Sequence, residues 1–161
     1  MRPDLNRGLF VCDYCSSEVL PPAAADGVMV IDDSKLDCPL CRVKLADASL
    51  ESVSLLYCRQ CHGMFLAMDE LEPLASLLRA HRDRPATFLA PRSEHDAARA
   101  LHCPGCGGAM DCHAYGGGGN VNVDSCENCE SIWLDSGELR KIVSAPDYDP
   151  VYLNHGDARS L

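Results

Sequence analysis

Apolar and polar positions alternate in two short places along the chain. Val53, Leu55 and Tyr57 recur at every second position ahead of Cys58, and Val121 and Val123 do so ahead of Cys126. A period of two is that of a half-buried strand, so each run is read as one arm of a hairpin. "GGGGN" at 116–120 is the expected connection in the second hairpin, because glycine and asparagine tolerate the positive φ of a tight turn. A phosphate-cradling loop would need a following Lys-Ser/Thr pair, which is missing. The period then becomes helical: Leu71, Leu74, Leu77 and Leu78 form one apolar stripe, and Leu139, Ile142 and Val143 another. Asp135 and Glu138 have the spacing of a capping box at the second helix start, and Asp69 and Glu72 at the first, with Pro73 confined to the opening turn.

These elements are too short, and the three Phe, five Tyr and one Trp too few, for a large aromatic core. Small modules of this kind usually need a metal or disulfides. The eleven cysteines supply the means. Ten fall into Cys-x-x-Cys pairs: Cys12/Cys15, Cys38/Cys41, Cys58/Cys61, Cys103/Cys106 and Cys126/Cys129; Cys112 stands alone. Sixteen residues separate Cys41 from Cys58 and nineteen separate Cys106 from Cys126, inside the roughly 15–20 residue window for two turns that share one zinc ion. The spacing assigns one Zn2+ to Cys38, Cys41, Cys58 and Cys61 and a second to Cys103, Cys106, Cys126 and Cys129. An internal repeat supports this pairing, since "CRQCHGMFLAMDEL" from 58 lies over "CENCESIWLDSGEL" from 126. Phe65 and Trp133 then occupy the same place in each unit. Both rings are expected to cover the thiolates and to join each ribbon to its helix.

Residues 103–139 resemble the TFIIB-type zinc-ribbon family, whose pattern runs Cys-Pro-x-Cys, a hairpin, Cys-x-x-Cys, then Trp-Leu-Asp-x-Gly-Glu-Leu. Cys103, Pro104, Cys106, Cys126, Cys129, Trp133, Leu134, Asp135, Gly137, Glu138 and Leu139 match it. Glu130 and Ser131 stand where the pattern has glycines, which predicts a strained knuckle. The first unit matches at Cys38, Pro39, Cys41, Cys58, Cys61, Gly63, Leu66, Glu70 and Leu71, with Phe65 for Trp, Ala67 for Asp and Asp69 for Gly. The resemblance implies a zinc-ribbon fold with four cysteine ligands per metal. The expected class is therefore a small metal-stabilised α+β fold: tandem zinc ribbons built on β-hairpin knuckles, each followed by a helix.

The remaining stretches set the organisation. Residues 1–35 carry Cys12 and Cys15, the Pro/Ala-rich "LPPAAADG" and the apolar "VMVI", as though an incomplete third ribbon began the chain. Ribbon 1 with its helix is assigned to 36–82, a solvated linker to 83–100, ribbon 2 with its helix to 101–145 and a tail to 146–161. Cys12 and Cys15 have no evident partner pair. Either they form a third zinc site with Cys112, His113 or His102, or they re-pair with Cys38 and Cys41. On the bland reading Cys112 is a buried small residue and His113 a surface histidine.

Charge narrows the function. The formal net charge is −10, and two sites of four sulfurs on a divalent ion take it to about −14. Nucleic-acid affinity rests on phosphate neutralisation, so an acidic chain starts with repulsion. A non-catalytic zinc-ribbon module that mediates protein–protein interaction, in a transcription-associated setting, is the expectation. A thiol redox or zinc-responsive switch is one alternative; a nucleic-acid-binding zinc finger is another, disfavoured by the charge. All-cysteine zinc sites leave no position for a substrate water, and no His-Glu-x-x-His helix accompanies them, so no enzyme is expected. No apolar run approaches the roughly 18 residues of a membrane span, and so many cysteines without a secretory leader suggest a reducing, cytoplasmic setting.

Overall fold

The structure is a computed structural model, and it describes residues 2–4, 9–19, 27–81, 99–116 and 120–145. Strands β1 (Arg2–Asp4), β2 (Leu9–Val11) and β3 (Glu18–Val19) make a three-stranded antiparallel sheet in chain order. A second, seven-stranded antiparallel sheet carries the turns of three of the four paired knuckles, and the fourth, at Cys103 and Cys106, precedes it on an isolated bridge between His102 and Ala109. Its strands are β4 (Met29–Asp37), β5 (Lys44–Leu50), β6 (Val53–Tyr57), β7 (Met64–Ala67), β8 (Asp111–Ala114), β9 (Asn122–Cys126) and β10 (Ser131–Leu134). The order across it is β4-β5-β6-β7-β10-β9-β8. Among the described residues the helices are α1 (Leu71–Ala80), entered through a 3-10 turn at Met68–Glu70, and α2 (Glu138–Ser144).

The two ribbons are therefore not beads on a string. Strand β7 of the first pairs with β10 of the second, in the register Phe65↔Trp133, Leu66↔Ile132 and Met64↔Leu134. Each is a run of only four residues, and Met64, Phe65, Leu66, Ile132, Trp133 and Leu134 are all buried. Burial on both faces is why neither run shows the alternation that marks β6 or β9. Strand β4 begins at Met29 and pairs with β5, so the sheet of ribbon 1 takes in residues from before position 36. Irregular register along β4, between Val30 and Asp32 and between Asp33 and Asp37, breaks up an edge that would otherwise invite another strand.

Alternation along these strands sorts side chains into two cores. On one face Leu50, Leu55, Tyr57, Met64, Leu66, Ile132 and Leu134 meet Leu71, Leu74, Leu139 and Ile142 from the helices, which also contact each other. On the other, Phe65 and Trp133 join Leu45, Leu101, Met110 and the buried cysteines of both ribbons. The rings thus cover the thiolates as expected but do not reach the helices. Adjacent residues on a strand point to opposite faces, so a ring on the sulfur side cannot also pack on the helix side.

The hairpin of ribbon 1 turns on Glu51 and Ser52, both at positive φ (48° and 71°), the two-residue form whose twist matches its strands. In ribbon 2 β8 and β9 pair as a hairpin, and Tyr115 N–H donates to the Val121 carbonyl at 3.0 Å; positions 117–119 of its glycine run lie outside the described residues. Half of the expected capping box forms. Glu138 accepts from the Asp135 amide at 2.8 Å, but Gly137 takes the cap position at φ 84° with no side-chain bond. At the first helix neither Asp69 nor Glu72 caps. Glu72 instead receives Tyr115 Oη (2.5 Å), Arg79 (3.1 Å) and Ser76 (3.2 Å), and Arg79 also donates to the Ile142 carbonyl at the end of α2. Among the described residues no helix is long and apolar enough to cross a membrane.

Candidate metal centres

Each metal centre is built from two knuckles. In the first, Cys38 N–H donates to the Val43 carbonyl (2.8 Å) and Arg42 N–H returns to the Cys38 carbonyl (3.0 Å), which folds Cys41 back towards Cys38. Cys58 repeats this with Gly63 (2.9 Å) and His62 (2.8 Å), and Cys103 with Gly108 and Gly107 (both 2.8 Å). Cys126 and Ser131 are register partners at the β9–β10 turn. The fourth residue past the first cysteine sits at positive φ every time: Arg42 61°, His62 61°, Gly107 73° and Glu130 50°. Only one of the four is a glycine, so the knuckle holds the other three in a conformation that non-glycine residues reach at a cost. The strain anticipated at Glu130 is real, and it is shared with ribbon 1.

The structure brings together the two predicted sets: Cys38, Cys41, Cys58 and Cys61, and Cys103, Cys106, Cys126 and Cys129, with all four sulfurs of each set within 4.8 Å of one another. Tetrahedral zinc at roughly 2.3 Å from each sulfur separates the sulfurs by about 3.8 Å. Cys38 to Cys61 and Cys106 to Cys126 both measure 3.6 Å. The first cysteine of each knuckle is buried and the second more open. Backbone amides reinforce the sulfurs of ribbon 1, with Cys41 N–H 3.3 Å from Cys38 Sγ and Cys61 N–H 3.4 Å from Cys58 Sγ.

The electrostatics favour a cation. Burial pushes the thiols of Cys38, Cys61 and Cys103 up. Cys129 is pushed up to about 12, first by the neighbouring Cys106 sulfur. Cys106, at the surface, is pulled down to about 7, first by the Gly108 amide. Four sulfurs this close cannot all ionise unaided, because each charge penalises the next. A soft divalent ion that prefers thiolates removes the conflict, and the donor set, its spacing and its closed shape fit structural zinc.

The proposed third set is not assembled. Among the described residues Cys12 and Cys15 share no ligand group with Cys112, His113 or His102, nor with Cys38 and Cys41. His113 is exposed and its Nε2 lies 3.0 Å from Ser125 Oγ; Cys112 is half-buried on β8, where burial raises its thiol.

Two supporting features carried no local signal. Arg99 lies in the stretch read as linker, of which 83–98 fall outside the described residues. Its guanidinium bridges Asp124 (3.0 Å) on β9 and Asp135 beyond β10, and Trp133 Nε1 donates to the same Asp135 at 2.9 Å. Burial works to lower the Arg99 pKa, but its two carboxylates raise it overall. Asp124 is 2% exposed, and burial raises its carboxyl against the pull of Arg99. Replacing Arg99 with Gln is expected to cost about 2 kcal/mol at neutral pH by leaving a buried carboxylate without its cation. Loss of Arg99 raises the folded pKa of Asp124 further, so the deficit is full above the variant's folded pKa and closes as pH falls below the parent's. Denaturant titrations of variant and parent at pH 5 and 7.5 would register this; an equal deficit at both would refute it. The second feature is Gly63, where a Cβ would lie 2.1 Å from Trp133 Cζ2. The ring of ribbon 2 rests on the knuckle of ribbon 1.

Paired knuckles, hairpins and closed four-cysteine clusters define a protein with two zinc ribbons. The transcription factor zinc-finger family model matches residues 37–76 and 102–145, just over half of the chain. The chain belongs to that family, in two copies. No curated protein and no solved structure matches it.

Proposed function

We propose that the protein is a non-catalytic scaffold of a reducing compartment such as the cytoplasm, and that its surface docks a basic protein partner, in keeping with a transcription-associated role. The observation that carries this reading is an acidic groove where the ribbons meet. Exposed Met68, Asp69, Glu127 and Glu130 line it together with Ala67 and Cys129, and Met68 N–H donates to the Glu130 carbonyl at 2.8 Å across the junction. An apolar methionine ringed by carboxylates suits a basic segment with an apolar anchor, since charge complementarity steers the encounter and the apolar contact holds it. Both four-cysteine clusters are closed, which leaves no metal position for a substrate.

Binding of the full zinc-loaded chain to a Lys/Arg-rich peptide and to duplex DNA, followed across salt concentrations, tests this. Peptide binding is expected to exceed DNA binding, and the double substitution Asp69→Lys, Glu127→Lys to weaken it at least tenfold. Tight DNA binding at physiological salt that falls as salt rises would replace the reading with a nucleic-acid one.

A further inference from the structure

Five Cys-x-x-Cys pairs occur and only four are accounted for. The fifth, Cys12 and Cys15, joins β2 to β3 in the three-stranded sheet, and its backbone is that of a metal knuckle. Cys12 N–H donates to the Ser17 carbonyl and Ser16 N–H to the Cys12 carbonyl, both at 2.9 Å. These are the same two bonds, at the same offsets, that shape the knuckles starting at Cys38, Cys58 and Cys103. Ser16, four residues past Cys12, has φ 58°, within the range of its counterparts. A serine gains nothing from this left-handed conformation by itself. Sequence spacing and the turn's backbone geometry thus agree on one reading.

Such a knuckle supplies two thiolates where a closed zinc site needs four. Among the described residues no ligand group offers the other two. Cys112, the one cysteine outside the pairs, would bring one at most. The knuckle also faces outwards, with Cys15 exposed and Tyr14 at its tip 100% exposed. What it lacks among the described residues is a second pair of the same geometry, and another copy of the chain presents that pair in the same place. A two-fold axis through the ion makes such a contact self-complementary and closed.

We propose that Cys12 and Cys15 form a third metal knuckle, completed by the same pair from a second copy, so that one zinc ion bridges a dimer. Tyr14 then packs at the contact. Native mass spectrometry of the full-length protein purified under reducing conditions, with sedimentation in parallel, tests this directly. The expected parent is a dimer carrying five zinc ions for two chains. The Cys15→Ser variant is expected to be a monomer with two ions and unchanged circular dichroism, because the seven-stranded sheet keeps both of its own centres. A monomeric parent with two or three ions, a dimer that survives Cys15→Ser, or a metal-free Cys12–Cys15 disulfide in the parent would each overturn the proposal.

Discussion

Replacing Cys126 with serine is expected to unfold both ribbons in one transition, not only the ribbon that loses its ligand. Structural zinc contributes an apparent ~10–16 kcal/mol in small modules, while a whole domain is stable by about 5–15 kcal/mol. The loss of one centre therefore exceeds what the remainder can absorb. The fold adds a reason for the damage to spread. Cys126 ends β9, β9 holds β10, and β10 is the strand on which β7 of ribbon 1 rests. The sulfur-side cluster contains Cys38 and Cys58 as well as Cys103 and Cys126, and Arg79 of α1 donates to the end of α2. With β10 gone, β7 would expose a row of unpaired backbone groups beside a cut core, which is costly. Zinc stoichiometry, far-UV circular dichroism and hydrogen exchange on the variant decide the matter. Retention of one zinc ion, with protected amides on β5 and β6, would show that ribbon 1 stands alone. A chelator titration of the parent should likewise give one sigmoid and not two.

What the sequence discloses of this arrangement is its local part. A Cys-x-x-Cys turn is settled within six residues, and the sixteen and nineteen residue separations bring the turns together through short hairpins. For that reason both four-cysteine clusters could be read before any strand was placed. The pairing of β7 with β10 could not, because Met64–Ala67 and Ser131–Leu134 are far apart in the chain and carry no alternation to reveal which face each presents. Strands buried on both sides look like any short apolar run. The same non-locality hides Arg99, whose partners are Asp124 on β9 and Asp135 in the connection between β10 and α2. At the caps local reasoning recovered only the Glu138-to-Asp135 half of one box, and the cap positions themselves fall to Gly137 and Glu70. Asp135 is drawn off by Trp133 and Arg99, and Glu72 by Tyr115 and by Arg79 and Ser76 of its own helix, and such partners outcompete a helix cap worth about 1 kcal/mol. His62 and Glu130 show the reverse, in that positive φ at non-glycine residues looks unfavourable locally and is imposed by the knuckle.

The Trp133–Gly63 contact yields the second large expectation, and it bears on why the two copies of the ribbon differ. Gly63 is not among the residues with positive φ, so alanine could adopt its backbone; the obstacle is space. An added methyl would lie 2.1, 2.7 and 2.9 Å from Cζ2, Cη2 and Cε2 of Trp133, well inside contact distance. The ring cannot yield, since it is 0% exposed and its Nε1–H is held by Asp135. Gly63→Ala is therefore expected to cost about 3 kcal/mol, the upper part of the usual range for overpacking, and to shift the emission of the protein's one tryptophan. The repeat supplies the remedy. In the mirrored position the smaller Phe65 is paired with a ribbon whose knuckle carries Ser131 in place of glycine. Trp133→Phe alone should destabilise by leaving a cavity, yet in the Gly63→Ala background it should cost much less or restore stability, a coupling of about 2 kcal/mol in a double-mutant cycle. Simple additivity of the two substitutions would mean that ring and glycine do not constrain each other. Coupling would show that the glycine in the knuckle of ribbon 1 is what admits the tryptophan of ribbon 2 at the seam.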